Sequence, residues 1–226
     1  MIQLTLAASF FVGIHFLIAG TRWRDRLVGK YGERVYRIGF SVLSLLGLFW
    51  LIYAYRHAPY IETWGQLAWF KPVAALLMLI AFILAVAGVT TPNPTAVSGE
   101  SLLSEEEPAR GILRITRHPF LWGVGLWAAA HLIANGDAAA LVLFGSLLLL
   151  TTAGTRSIDA KRQRHFGERW AKFAAVTSNI PFNAIREGRN RLKLGELGGW
   201  RIALALALYL GVLHFHRQLF GVSPLF

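Results

Sequence analysis

The chain contains no cysteine. That excludes disulfides, thiolate zinc sites, iron–sulfur clusters and covalent c-type haem, which needs Cys-x-x-Cys-His. Acid is also scarce: 12 Asp and Glu stand against 23 Lys and Arg, a formal net charge of +11. Charged residues of both signs make up only 15% of the chain, against about a quarter in an ordinary soluble domain. There is no internal repeat and no polar stretch long enough for a separate soluble domain. What is present is apolar. Hydrophobic residues are 55% of the total, and they run in blocks of about the 17–25 residues that cross a bilayer. Most basic residues lie within about 20 residues of such a block, where they orient a membrane protein. Membrane lipid is therefore the expected partner, and nucleic acid is not.

The blocks predict an all-α, polytopic membrane helical bundle, a single integral membrane domain over residues 1–226. About six spans are expected, at residues 2–20, 38–55, 72–90, 119–134, 138–154 and 200–215. No positive charge precedes the first block, so it reads as an uncleaved anchor with its N-terminus outside. Twenty of the 23 Lys and Arg fall in the loops after spans one, three and five, or at the start of span six. The positive-inside rule then puts those loops in the cytoplasm and both termini outside. Asn135-Gly136-Asp137 reads as a tight turn joining spans four and five. Thr91–Arg117, with Pro92, Pro94, Pro108 and the acidic run Glu105–Glu107, reads as the clearest loop. Further on, Ile158, Phe166, Trp170 and Phe173 share one helical face, while Lys161, Arg164, Arg169 and Lys172 take others. That pattern predicts an amphipathic helix on the inner membrane surface.

Ionisable side chains inside a membrane are costly and point to function. Here they are histidines. His15 falls inside span one and His131 inside span four. His118 sits at the inner mouth of span four and His57 at the outer end of span two. Such residues bond across helices, relay protons or ligate a metal or haem. Non-haem iron and zinc sites use three or four ligands, often with a carboxylate. A haem needs one or two axial groups, so haem is the more economical metal reading, beside plain helix packing. His118 and His131 are thirteen residues apart, about 20 Å along a helix, and cannot share one iron. His15 is the best buried partner for His131. Gly123, Trp127 and His131 are spaced i, i+4, i+8: glycine leaves room for a flat ligand and Trp127 can stack on one.

These residues resemble a known family. The run Gly111-Ile112-Leu113-Arg114-Ile115-Thr116-Arg117-His118-Pro119, then Gly123, Trp127 and His131, is similar to the NnrU family. So are Phe166-Gly167, the Thr177–Phe182 segment, Phe11-x3-His15, Gly32-x3-Tyr36-Arg37, Ser44-Leu45 and Arg56-His57. The resemblance covers nearly all of the chain up to about Arg191. It implies a protein of the bacterial inner membrane linked to denitrification and nitric oxide metabolism, with respiratory or denitrification components as partners. The family includes the plant and cyanobacterial zeta-carotene isomerase, so it also implies haem b, axial ligation by His15 and His131, and a hydrophobic polyene as substrate. His57 and His118 match further histidines of that isomerase, and Arg117 belongs to the shared motif. Where the isomerase has cysteine three residues before its second ligand, this chain has Ala128.

Two other functions are open. A fainter likeness to isoprenylcysteine methyltransferases implies S-adenosylmethionine bound in an inner-side cavity near Arg117, His118 and Asp159. A non-enzymatic accessory factor, with histidines that merely pack helices, is the third. Substrate, electron donor and oligomeric state are not written in the sequence.

Overall fold

A computed structural model describes residues 1–96 and 99–225. The described residues are helices joined by turns and by loops of very different length. α1 (Ile2–Gly13) continues without a break into a wider π-turn, Ile14–Ala19. Thr21 caps α2 (Arg22–Tyr31), its hydroxyl accepting from the Trp23 amide at 3.2 Å. Gly32, at φ +81°, turns the chain into α3 (Glu33–Arg56). Proline opens both α4 (Lys71–Thr90) and α5 (Pro119–Asn135), where its missing N–H is no loss. Then come α6 (Ala138–Phe166), α7 (Glu168–Ala175), the single turn α8 (Asn183–Arg186) and α9 (Gly199–Phe220).

Five segments are long and apolar enough to cross a membrane: Ile2–Ala19, Glu33–Arg56, Ala68–Thr90, Ala138–Phe166 and Gly199–Phe220. α5, the expected fourth span, has 17 residues, about 25 Å of helix. It lies between α4 and α6, packing on both. The spatial order is α9, α4, α5, α6, α1, α3. Outward faces are oily: Ile38, Val42, Leu45 and Phe49 on α3, and Leu204, Leu208 and Phe215 on α9, are all exposed. A membrane helical bundle faces lipid in this way.

The loops collect at two ends. At one, Asn135-Gly136-Asp137 makes the expected tight turn. Gly136 caps α5 at φ +60°, and the Asp137 carboxylate caps α6 by accepting from the Ala140 amide at 2.9 Å. The loop before α4 closes over that turn. Its Thr63 and Gly65 amides both donate to the Gly136 carbonyl, at 2.9 and 3.0 Å. At the other end, the basic segments after α1, α4 and α6 meet. Arg162 pairs with Glu100 at 2.8 Å, and Arg114 with Glu196 at 2.7 Å. The uneven charge of the loops is thus an uneven charge of the molecule's two ends.

The inner-surface helix takes a different form from the one expected. α6 does not stop near residue 154 but runs on to Phe166, so Ile158 belongs to the extended span. Gly167, at φ +49°, then breaks the helix. The amphipathic piece is α7 alone, and its apolar face turns toward protein. Trp170 and Phe173 are buried against Ala87, Leu103, Ile112 and Leu113. The Thr91–Arg117 loop supplies most of that second core, which is why its apolar residues are fixed in place. A first core, of Leu4, Ala7, Phe11, Leu51, Ala128, Phe144 and Leu147, joins α1, α3, α5 and α6.

Candidate functional site

His15 lies in the π-turn of α1, and turns of this type occur often at functional sites. Its ring packs on Phe11 at 4.6 Å and edge-on to Phe40 of α3 at 5.3 Å. Its Nδ1 lies 2.7 Å from the Phe11 carbonyl. A carbonyl only accepts, so Nδ1 carries the proton, and the neutral ring presents Nε2 as a lone pair. His131 repeats the pattern on α5, with Nδ1 donating to the Trp127 carbonyl at 2.9 Å. Its ring stacks on Phe144 of α6 at 5.1 Å and touches Trp127. A ring nitrogen tied to a carbonyl sets the tautomer of many metal-bound histidines. His57 and His165 make the same local bond, so the bond permits ligation without identifying it.

Helix register fixes the depths of the two imidazoles. A side-chain carbon placed on Gly20 would touch Ser157 of α6. His15, five residues earlier on the parallel α1, is therefore level with Thr152. On antiparallel α5, Leu132 meets Gly145, so His131 is level with Ser146. The Cα atoms thus differ by six residues, about 9 Å of depth. The rings do not share that offset. Each folds back over its own preceding turn to reach the carbonyl four residues earlier, about 3 Å along the axis. α1 and α5 run in opposite senses, so the two rings lean toward each other. The two imidazoles, each with Nε2 free of a backbone bond, stand on separate helices and lean toward one depth.

The other expected site residues divide. Trp127 stands beside His131 as the spacing predicts. Gly123 does not face it: a Cβ there would lie 2.8 Å from the Ala81 carbonyl oxygen and 2.9 Å from the Ala85 nitrogen. Its bare backbone serves the close crossing of α4 and α5. His57 is exposed at the far end of α3, its ring tilted against Tyr53 at 4.2 Å.

His118 and Arg117 lie at the basic end, in a different cluster. Arg117 Nε reaches both Asp159 oxygens, at 3.1 and 3.0 Å, and Nη2 reaches Oδ2 at 2.9 Å. His118 Nε2 donates to Asp159 Oδ1 at 2.7 Å. The Asn179 amide reaches Oδ2 at 3.4 Å. The Asn179 carbonyl accepts from Thr116 Oγ1 and Trp122 Nε1, at 2.6 and 2.7 Å. Arg117 Nη1 donates to the Thr177 carbonyl at 3.2 Å. The knot ties the start of α5, the lower half of α6 and the strap after α7. Asp159 was legible as a lone acid in a basic stretch. The shorter contacts of Thr177 and Asn179 are made by their backbone carbonyls, which no residue type announces.

A second basic-end cluster centres on Arg114, which is 5% exposed. It bonds Glu196 through Nε and Nη2, Asn190 through Nη1 and Glu107 through Nη2. Hydrogen bonds from Arg114 hold the Glu196 carboxyl down at about 2. A cleft of about 130 Å³ lies between α5 and α6, lined by Trp122, Gly125, Ala129, Leu148, Thr151 and Thr155 among others. The threonine hydroxyls bond back to their own helix, so the cleft presents methyls.

Known proteins bear on this arrangement. The chain is 28% identical over 204 residues to the 15-cis-zeta-carotene isomerase, chloroplastic, of Zea mays, a match that covers 84% of this chain and 52% of the relative. It is 29% identical over 167 residues to the protein of that name from Arabidopsis thaliana, with 71% and 44% covered. The chain spans about half the length of these curated relatives. No solved structure matches it significantly. The family model described as NnrU protein matches residues 3–224, nearly end to end, and the chain therefore belongs to the NnrU family.

Proposed function

We propose that the chain is a haem b protein of a bacterial inner membrane, its iron held by His15 and His131, acting on a long apolar substrate inside the bilayer. The observation that carries this is the paired geometry of the two imidazoles. Each sits in the apolar layer, each has Nδ1 fixed to a backbone carbonyl, and opposite helix senses lean the two rings toward one depth. When bound, the haem would supply a Lewis-acidic and redox-active iron. The residues hold and enclose. The Phe11 and Trp127 carbonyls orient the imidazoles, and Phe40, Trp127 and Phe144 wall them with rings that exclude water. With Ala128 one turn before His131, no thiolate can exchange with either imidazole. The apolar cleft beside α5 suits a polyene entering from lipid, and the curated relatives act on such a compound by name. We place the basic end in the cytoplasm and both termini in the periplasm, by the positive-inside rule.

The methyltransferase reading loses support at the knot. Asp159 already accepts from Arg117, His118 and Asn179, which uses the roughly four lone-pair sites of a carboxylate. None is left for a nucleoside.

The test is optical. Detergent-purified protein from haem-replete cells should show a Soret band and a pyridine haemochrome. His15→Gln and His131→Gln should each shift or abolish the band at normal protein yield. Colourless protein that takes up no added haem overturns the proposal. If both substitutions leave function in the host intact, the accessory-factor reading replaces it.

A further inference from the structure

Two hydroxyls on α3 are buried and, among the described residues, make no hydrogen bond: Tyr36 Oη and Ser44 Oγ. An unmet buried donor costs about 1–3 kcal/mol, so such a group marks a place where a partner belongs. Tyr36, Phe40 and Ser44 follow at intervals of four on one face of the helix. That face meets α1. A Cβ on Gly47 would lie 3.1 Å from Phe10 and 3.3 Å from Phe11, and the Phe40 ring stands edge-on to His15 at 5.3 Å. The two hydroxyls therefore flank the level of His15. Ser44 lies toward the outer end and Tyr36 toward the basic end, where α3 begins.

Three contacts in succession lead from His15 to the basic end. His15 touches Phe40, Phe40 stacks on Tyr36 at 5.9 Å, and the Arg24 guanidinium lies over the Tyr36 ring at 5.6 Å. Both Glu33 oxygens hold Arg24, at 2.7 and 3.0 Å. The Tyr36 end of the row thus has a fixed cation and a phenol donor with nothing to bond. On the Ser44 side the seam is hydrocarbon, where Phe11 packs with Leu4, Ala8 and Leu51.

A haem has two unlike edges. One is hydrocarbon, and the other carries two propionate carboxylates. A carboxylate is costly in the apolar layer and is stabilised by charge-assisted donors beside a cation. Resting on the haem reading above, we infer that the Tyr36 hydroxyl donates to a propionate of the bound haem, whose carboxylate edge faces the basic end. A phenol–carboxylate bond is about twice as strong as a neutral one, and low polarity around it raises its worth. Tyr36 is then a cofactor-binding residue, and Ser44, buried on the same face, is its control.

Titration of the haem-free full chain in detergent, with haem b and with its dimethyl ester, tests this. The ester keeps the iron and the ring but carries no carboxylate charge. The wild type should bind haem b about tenfold tighter than the ester. Tyr36→Phe keeps both ring contacts and should cut that preference at least about threefold, while Ser44→Ala should leave it unchanged. The propionate bending bands in the resonance Raman spectrum should shift in Tyr36→Phe alone. Equal affinity of the wild type for the two porphyrins, a preference that survives in Tyr36→Phe, or one lost in Ser44→Ala overturns the inference while the haem reading stands. A wild type that takes up neither porphyrin overturns both.

Discussion

Replacing Asp159 with asparagine isolates the knot at the basic end. Asparagine keeps the shape and one carbonyl oxygen. Its amide replaces the other oxygen with a donor, which then faces the donors of Arg117 and Asn179. Arg117 keeps its charge, at 13% side-chain exposure, with no anion beside it. Breaking one partner out of a fully buried pair costs about 3–5 kcal/mol. Asp159 is 19% exposed, so some water reaches the pair and about 2–4 kcal/mol is the better figure. For 226 residues at about 2.1 cal/mol/K each, 1 kcal/mol corresponds to roughly 2 °C. Melting in detergent should then fall by at least about 4–8 °C, because membrane helices stay helical and gain less entropy on unfolding. The decisive measurement is a double-mutant cycle. Arg117→Met with Asp159→Leu removes both charges, and should cost less than the two single losses added together by at least about 1 kcal/mol. Additive losses, or a drop under about 1 °C for Asp159→Asn, would refute the view of Asp159 as the centre of a paired network.

Two further predictions use other parts of the fold. Gly123→Ala drives a methyl into backbone atoms of α4 at 2.8 and 2.9 Å, which cannot step aside. It should cost about 1–3 kcal/mol in thermal unfolding, while Gly145→Ala, which meets only Leu132 Cδ1 at 3.6 Å, should be near neutral. The Glu196 carboxyl is lowered from 4.5 to about 2 by its bonds to Arg114. Its stabilisation is therefore complete above pH 4.5 and is lost as pH falls toward 2. Glu196→Gln should flatten the acid side of the stability–pH curve in that window, and an unchanged slope would count against the pairing.

The bundle was legible because hydropathy and charge repeat on the scale of the bilayer. Blocks such as Ile2–Gly20 and Pro72–Thr90 match helices within a residue or two. The length of α6 was less legible. Arg156, Asp159 and Lys161 read as the end of a span, yet the helix continues because α2, the Thr91–Arg117 loop and the strap after α7 wrap its lower half and pair Asp159, Arg162 and His165. Periodicity found the apolar face of α7 but not what it meets. Trp170 and Phe173 suit lipid and protein equally, and only the packed loop residues Leu103 and Ile112 decide between them.

The histidine pair shows where residue counting stops. Counting along two helices gives Cα depths, and for His15 and His131 those differ by about 9 Å, too much for a shared plane. The missing quantity is the direction of each side chain. On any helix the side chain leans toward the N-terminus. Two residues on antiparallel spans therefore lean toward each other in depth when each lies C-terminal to their common level. His15 and His131 satisfy that condition, and their bonds to the Phe11 and Trp127 carbonyls hold the lean in place. Orientation of the spans, readable from the charge of the loops, thus carries an unused piece of site geometry. For spans of opposite sense, the depth of paired side chains is set by the Cα offset less the lean of both rings, and for this pair the second quantity removes most of the first.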